Sequence, residues 1–108
     1  MITKRVFLAE MELPESRSVI AHFLMVLEED GREVTRSNPH TVCFAPDCDP
    51  AAMFDQVNAN ITTRSDMLWP AIPAEEWARA VAVCQSVHTP EVKAAYEAWK
   101  AAQLASVG

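Results

Sequence analysis

The hydrophobic period changes once along this chain. Up to Asp49 the apolar residues recur at spacing two, as on one face of a strand; beyond Asp49-Pro50 they recur at three and four, as along a helix stripe. Residues 5–13 alternate, with Phe7, Ala9, Met11 and Leu13 on one side and Val6, Leu8, Glu10 and Glu12 on the other, which predicts a half-buried strand. A turn follows at Pro14-Glu15-Ser16. Residues 17–29 are apolar on both sides, Val19, Ala21, Phe23, Met25 and Leu27 against Ile20, Leu24 and Val26, so a central strand is expected there. Asp30-Gly31 is the dipeptide of a two-residue type I′ turn, which sets Glu29 opposite Arg32 and Leu27 opposite Val34. The returning strand, residues 32–45, starts polar and is interrupted by Asn38-Pro39, so a bulge or break at a sheet edge is expected.

Asp49-Pro50 joins a preferred N-cap residue to the residue best tolerated at the first helical position. It predicts a helix over 50–60 with Met53, Phe54, Val57 and Ile61 on its buried side. Trp69-Pro70-Ala71-Ile72-Pro73 is held extended by its prolines and reads as a connecting loop that carries an aromatic. A second helix over 74–87 has Trp77, Val81, Cys84 and His88 on one stripe, with Glu75 and Arg79 spaced to pair on the wet side. Thr89-Pro90 repeats the cap-then-proline device, and a third helix over 90–104 carries Val92, Tyr96, Trp99 and Ala102 on one face. The expected fold class is α+β: an N-terminal antiparallel meander of three to four strands packed by three C-terminal helices, in a single domain spanning 1–108.

Charge and composition then narrow the function classes. Nine basic against fifteen acidic residues give a net charge of -6, and the basic residues are scattered, so nucleic acid is not expected as a ligand. No apolar run approaches the roughly 20 residues of a membrane span. The N-terminal segment, closed by acids, does not read as a signal peptide, and three cysteines suit free thiols in a reducing compartment. Only two glycines are present, Gly31 in a turn and Gly108, so phosphate-cradling loops are missing; no G-x-S-x-G elbow is present either.

Three constellations carry chemistry on paper. His40, Cys43 and Cys48 with Cys84 and His88 offer five soft ligands for zinc. However, His40 and Cys43 are three apart in a strand and diverge, while Cys84 and His88 complete the Trp77/Val81 stripe, so no metal and no cofactor is expected. Asp47-Cys48-Asp49 with Asp55 lacks the regular oxygen spacing of a calcium loop, and capping accounts for Asp49. Glu28, Glu29, Asp30 and Glu33 cluster on a hairpin tip, where solvated charges are the rule. The chain therefore reads as a non-enzyme.

A binding surface is the positive expectation. If helices cover the Phe7/Ala9/Met11/Leu13 side, then Ile20, Leu24 and Val26, beside Val6 and Leu8, face outward, and together with the Trp69 loop they would form a partner-binding surface. The alternative is that the three helices divide between the two faces.

The order of features resembles short accessory proteins encoded in the tail modules of double-stranded DNA bacteriophages. The resemblance rests on the hairpin from Val26 through Gly31 to Arg32, Asp49-Pro50 opening a helix, Met67-Leu68-Trp69-Pro70-Ala71-Ile72-Pro73 with Glu76-Trp77, and His88-Thr89-Pro90-Glu91-Val92. It implies a virion or tail-assembly component, present in the host cytoplasm and then in the virion. Its partners would be other phage structural proteins or copies of itself, in a homo-oligomer or larger assembly. Two other readings stand beside it: an acidic inhibitor of a host defence complex that uses Glu28, Glu29, Asp30 and Glu33, and a small zinc-binding module.

Overall fold

The computed structural model describes residues 1–14, 17–63 and 69–107. Glu15-Ser16 of the expected turn and Met67-Leu68 ahead of Trp69 lie outside them. The architecture is α+β: four antiparallel strands, β1 (Ile2–Glu12), β2 (Val19–Glu29), β3 (Arg32–Arg36) and β4 (His40–Phe44), precede three helices, α1 (Pro50–Thr63), α2 (Ala74–Val87) and α3 (Pro90–Val107).

β2 is the central strand. β1 pairs along one edge of it, while β3 and β4 follow one another along the other edge, against Val26–Glu29 and Val19–Phe23 respectively. The third strand is thus one strand broken at Ser37-Asn38-Pro39. The gap is bridged on both sides of Met25, whose carbonyl accepts from the Ser37 amide at 2.9 Å and whose amide donates to Ser37 Oγ at 3.1 Å. Pro39 has no N–H to give the ladder, and where the strand breaks the Ser37 hydroxyl serves as the acceptor for the Met25 amide.

At the β2–β3 turn Asp30 and Gly31 both take positive φ, 52° and 82°, as a type I′ turn requires. Glu29 faces Arg32 as expected, but Leu27 faces Thr35 rather than Val34. The register slips there by one residue, and Val34 is left 61% exposed. A second slip corrects the expectation for β1. Pairing shifts between Leu8 and Glu10, so Ala9 is the extra residue of a bulge. Because side chains alternate with period two, the buried side of β1 runs Val6, Leu8, Met11 and not Phe7, Ala9, Met11, Leu13. Val6 is buried, Phe7 turns to the opposite face, and Leu13 is 60% exposed.

α1 and α2 pack on one face of this sheet. The core joins Val6, Val19, Ala21, Phe23, Met25, Val42 and Phe44 to Ile61, Ile72, Trp77, Ala80 and Cys84. Trp77 is its hub: it stacks on Phe23 with 5.9 Å between ring centroids and meets Phe44 and Phe54 at 5.1 and 5.2 Å. Its indole N–H donates to the Pro50 carbonyl at 3.1 Å, which docks the start of α1 on α2. The Glu76 carboxylate accepts from the Leu8 amide at 3.5 Å, tying α2 to the outer edge of β1. Arg79 pairs with Glu76 and not with Glu75.

Capping follows the expected chemistry. Asp49 Oδ1 accepts from the Ala51 amide at 3.2 Å, and Thr89 Oγ1 accepts from the Val92 amide at 3.2 Å. α1 and α3 run a few residues past the expected ends.

Candidate interaction surface

The face of the sheet opposite α1 and α2 carries the side chains of Arg5, Phe7, Glu10 and Glu12 from β1, of Ile20, His22, Leu24 and Val26 from β2, and of Arg36, Thr41 and Cys43 from the broken strand. Phe7 and Leu24 are register partners, as are Ile20 and Cys43. Phe7, Ile20 and Leu24 are half-buried and Cys43 is exposed. Val26 is fully buried, though it belongs to this face and not to the helix-covered core. It lies between Arg5 and Arg36 in register, consistent with their aliphatic stems lying over it. Of the residues expected to bind a partner, Ile20 and Leu24 are therefore accessible on one face, with Phe7 added by the β1 bulge.

Trp69 is elsewhere. It is 5% exposed, belongs to the core, and meets the His40 ring edge-on at 5.9 Å. The Ile72 amide donates to Asn58 Oδ1 at 2.8 Å, which pins the segment after Trp69 to α1. The expected display of this aromatic on an extended loop is overturned: prolines hold the backbone straight, but the indole is worth more inside the core.

A polar relay crosses the open face. His22 Nε2 lies 2.7 Å from Glu12 Oε2, and His22 Nδ1 lies 2.9 Å from Thr41 Oγ1. With the carboxylate accepting from Nε2–H, Nδ1 accepts from the threonine hydroxyl. Carboxylate, imidazole and hydroxyl in this order activate nucleophiles in hydrolases, but that chemistry also needs donors converging on an oxyanion. Beside Thr41 on this face stand the alkyl chain of Ile20 and the thiol of Cys43. The relay serves as a cross-strand tie joining β1, β2 and β4.

The acidic hairpin is neutralised locally. Glu28 and Glu33 face one another across the ladder, and each takes an arginine: Arg5 Nε lies 2.7 Å from Glu28, and Arg36 Nη2 lies 2.6 Å from Glu33. The hydrogen bonds from Arg36 hold the Glu33 carboxyl below its ordinary range.

The soft ligands are dispersed. His40 and Cys43 stand on opposite faces of β4, aligned with Phe23 and Ile20. Cys84 is buried in the core, and His88 Nε2–H donates to the Arg17 carbonyl at 2.7 Å. Among the described residues no three His, Cys, Asp or Glu side chains are grouped to hold a metal ion. The three cysteines are free thiols; burial raises the Cys48 thiol and pushes Cys84 up to about 11.

Two concavities lie outside the sheet face. A cleft of about 840 Å³ is lined by Pro46, Cys48 and Asp49 ahead of α1, Phe54 of α1, Trp77, Val81 and Cys84 of α2, and His88 and Lys93. A hollow of about 630 Å³ lies between α3 and the segment entering β2, lined by Arg17, Ser18, Glu91, Val92, Ala95, Tyr96 and Trp99. No described side chain of α3 is fully buried, and Trp99 and Leu104 are 57% and 76% exposed. Amphipathicity marked the Val92/Tyr96/Trp99 stripe in the sequence; its lack of cover is visible only in the fold. Among the described residues no helix is long and apolar enough to cross a membrane.

No protein-family model, no curated protein and no solved structure matches this chain.

Proposed function

We propose that the protein is a non-enzymatic protein–protein interaction component that works as a structural or assembly protein of bacteriophage virions or tails, first in the host cytoplasm and then in the particle. The observation that carries the binding role is the open sheet face. Phe7 and Leu24, beside the buried Val26, form an apolar centre there, bounded by Arg5 and Arg36 at one end and by the Glu12–His22–Thr41 relay at the other, beyond which Ile20 lies, while both core-forming helices lie on the other side. Apolar centre and polar rim are the anatomy of a protein interface. The phage setting is supported by the resemblance in feature order described above.

The hairpin argues against the inhibitor alternative. Glu28 and Glu33 are already paired with Arg5 and Arg36, so the tip does not present a bare acidic array to a groove evolved for nucleic acid.

Leu24→Glu tests the binding role. Circular dichroism should show a folded protein, and light scattering or partner capture should show weakened association, because a charge placed at the apolar centre is desolvated only at a cost. An unfolded product would identify Leu24 as core, and unchanged association would exclude this face. Mass spectrometry of purified virions tests the setting: repeated copies per particle are expected of a structural subunit.

A further inference from the structure

His88 has one ring nitrogen in use and one to spare. Its Nε2–H donates to the Arg17 carbonyl at 2.7 Å, which fixes the tautomer and leaves Nδ1 with a lone pair that can only accept. Nδ1 makes no hydrogen bond among the described residues, although His88 is only 7% exposed. Among those residues no fully enclosed side-chain nitrogen or oxygen is without a partner, so Nδ1 is not sealed in. His88 is a wall residue of the cleft of about 840 Å³, and the cleft supplies its opening.

The rest of the cleft says what can meet that lone pair. Its apolar wall includes Phe54, Trp77 and Val81, with Phe54 and Trp77 tilted against one another at 5.2 Å between ring centroids. Aromatic walls of this kind favour another ring. The two charged lining residues, Asp49 and Lys93, have opposite signs, and Asp49 is already committed to the amides of Ala51 and Ala52, so the lining selects a neutral molecule over an ion. The volume falls within the roughly 300 to 1,000 Å³ of small-molecule sites, whose usual make-up is an apolar wall with a few fixed polar groups.

We infer that this cleft is a binding site for a neutral, planar aromatic molecule that carries a hydroxyl or N–H group: the ring packs against Phe54, Trp77 and Val81, and its donor bonds His88 Nδ1. A ligand that lacks the donor displaces water from Nδ1 without replacing its hydrogen bond, which costs affinity. The site is separate from the Phe7/Leu24 sheet face, so ligand binding here and partner binding there stand or fall independently.

The probes are β-naphthol and its methyl ether, of which only the first can donate. Each is titrated into the isotope-labelled full chain and followed by nitrogen–proton correlation spectra. β-Naphthol should shift the amide signals of Phe54, Val81 and Gln85 to saturation and leave those of Phe7 and Leu24 in place. The methyl ether should bind about tenfold more weakly. In long-range spectra of the imidazoles, the His88 Nδ1 resonance should move upfield as it accepts from β-naphthol, and should not do so with the ether. Ala82→Trp places an indole in the cleft from an exposed helix position, and should abolish binding with an unchanged far-ultraviolet circular dichroism spectrum. The absence of saturable shifts in the cleft would overturn the proposal, as would equal affinity for the two probes, an unmoved His88 Nδ1 signal, or binding that survives Ala82→Trp.

Discussion

His88 and Arg17, 71 residues apart in sequence, are joined by a single hydrogen bond: the imidazole Nε2–H at the C-terminal end of α2 donates to the Arg17 carbonyl at 2.7 Å. Arg17 takes φ of 67°, a left-handed backbone that costs any residue with a Cβ, and its amide donates to the Pro14 carbonyl at 3.0 Å. The strained entry to β2 is therefore latched to the helical layer from the side where α3 begins. His88 is 7% exposed, so the imidazole side of this bond is shielded from water although Arg17 itself is exposed.

Removing the latch should be costly. His88→Ala leaves the Arg17 carbonyl without its donor and opens a gap beside Cys84, so a loss of about 2 kcal/mol is expected. Chemical denaturation should show it as a lower midpoint with an unchanged slope. His88→Gln, which restores a side-chain N–H, should recover part of the loss.

Trp77 joins packing to a polar anchor, and two variants separate them. Trp77→Phe keeps an aromatic ring against Phe23 but removes the donor to the Pro50 carbonyl, and should cost about 1 to 3 kcal/mol. Trp77→Ala also opens the centre of the core and should cost about 3 to 5 kcal/mol, enough to threaten folding in a domain of this size. Thermal melts followed by circular dichroism distinguish the two.

The cysteines should react in an order set by burial. Cys43 is exposed on the open sheet face and should be alkylated first in the native protein, whereas Cys84 should react only on unfolding. Timed iodoacetamide labelling with peptide mass spectrometry reads the order. Because the folded Cys84 thiol is raised from 9.0 to about 11, folding favours its neutral form. That contribution is fully present below pH 9 and is lost as pH rises towards 11, so stability should fall across this window, and less so in Cys84→Ala.

Asp49 is the cap of α1 through its bonds to the amides of Ala51 and Ala52. Asp49→Ala should destabilise by about 1 kcal/mol, and Asp49→Asn should be near neutral. A large loss in Asp49→Asn would mean that the charge, and not the capping oxygen, matters there.

The sequence by itself determined those features that rest on contacts within a few residues. Asp30-Gly31 specifies a type I′ turn because both positions must take positive φ; Asp49-Pro50 and Thr89-Pro90 start helices because their side-chain oxygens reach amides two or three residues on. The single change of period separated sheet from helices for the same reason, since side-chain direction repeats locally. Ile20 and Leu24 were legible as the outward side of β2 because that strand keeps its alternation unbroken from Val19 to Met25. The tertiary structure decided the rest. One bulged residue, Ala9, reverses the parity of β1 and sends Phe7 rather than Val6 to the open face, and nothing in an alternating pattern shows where a register slips. Trp69 is buried because the core has room for it and Asn58 pins the chain beside it, a choice made by residues distant in sequence. The stripe on α3 shows the same division: spacing makes a helix amphipathic, but whether its apolar side meets this chain's own core or is left for another surface depends on how the whole chain packs.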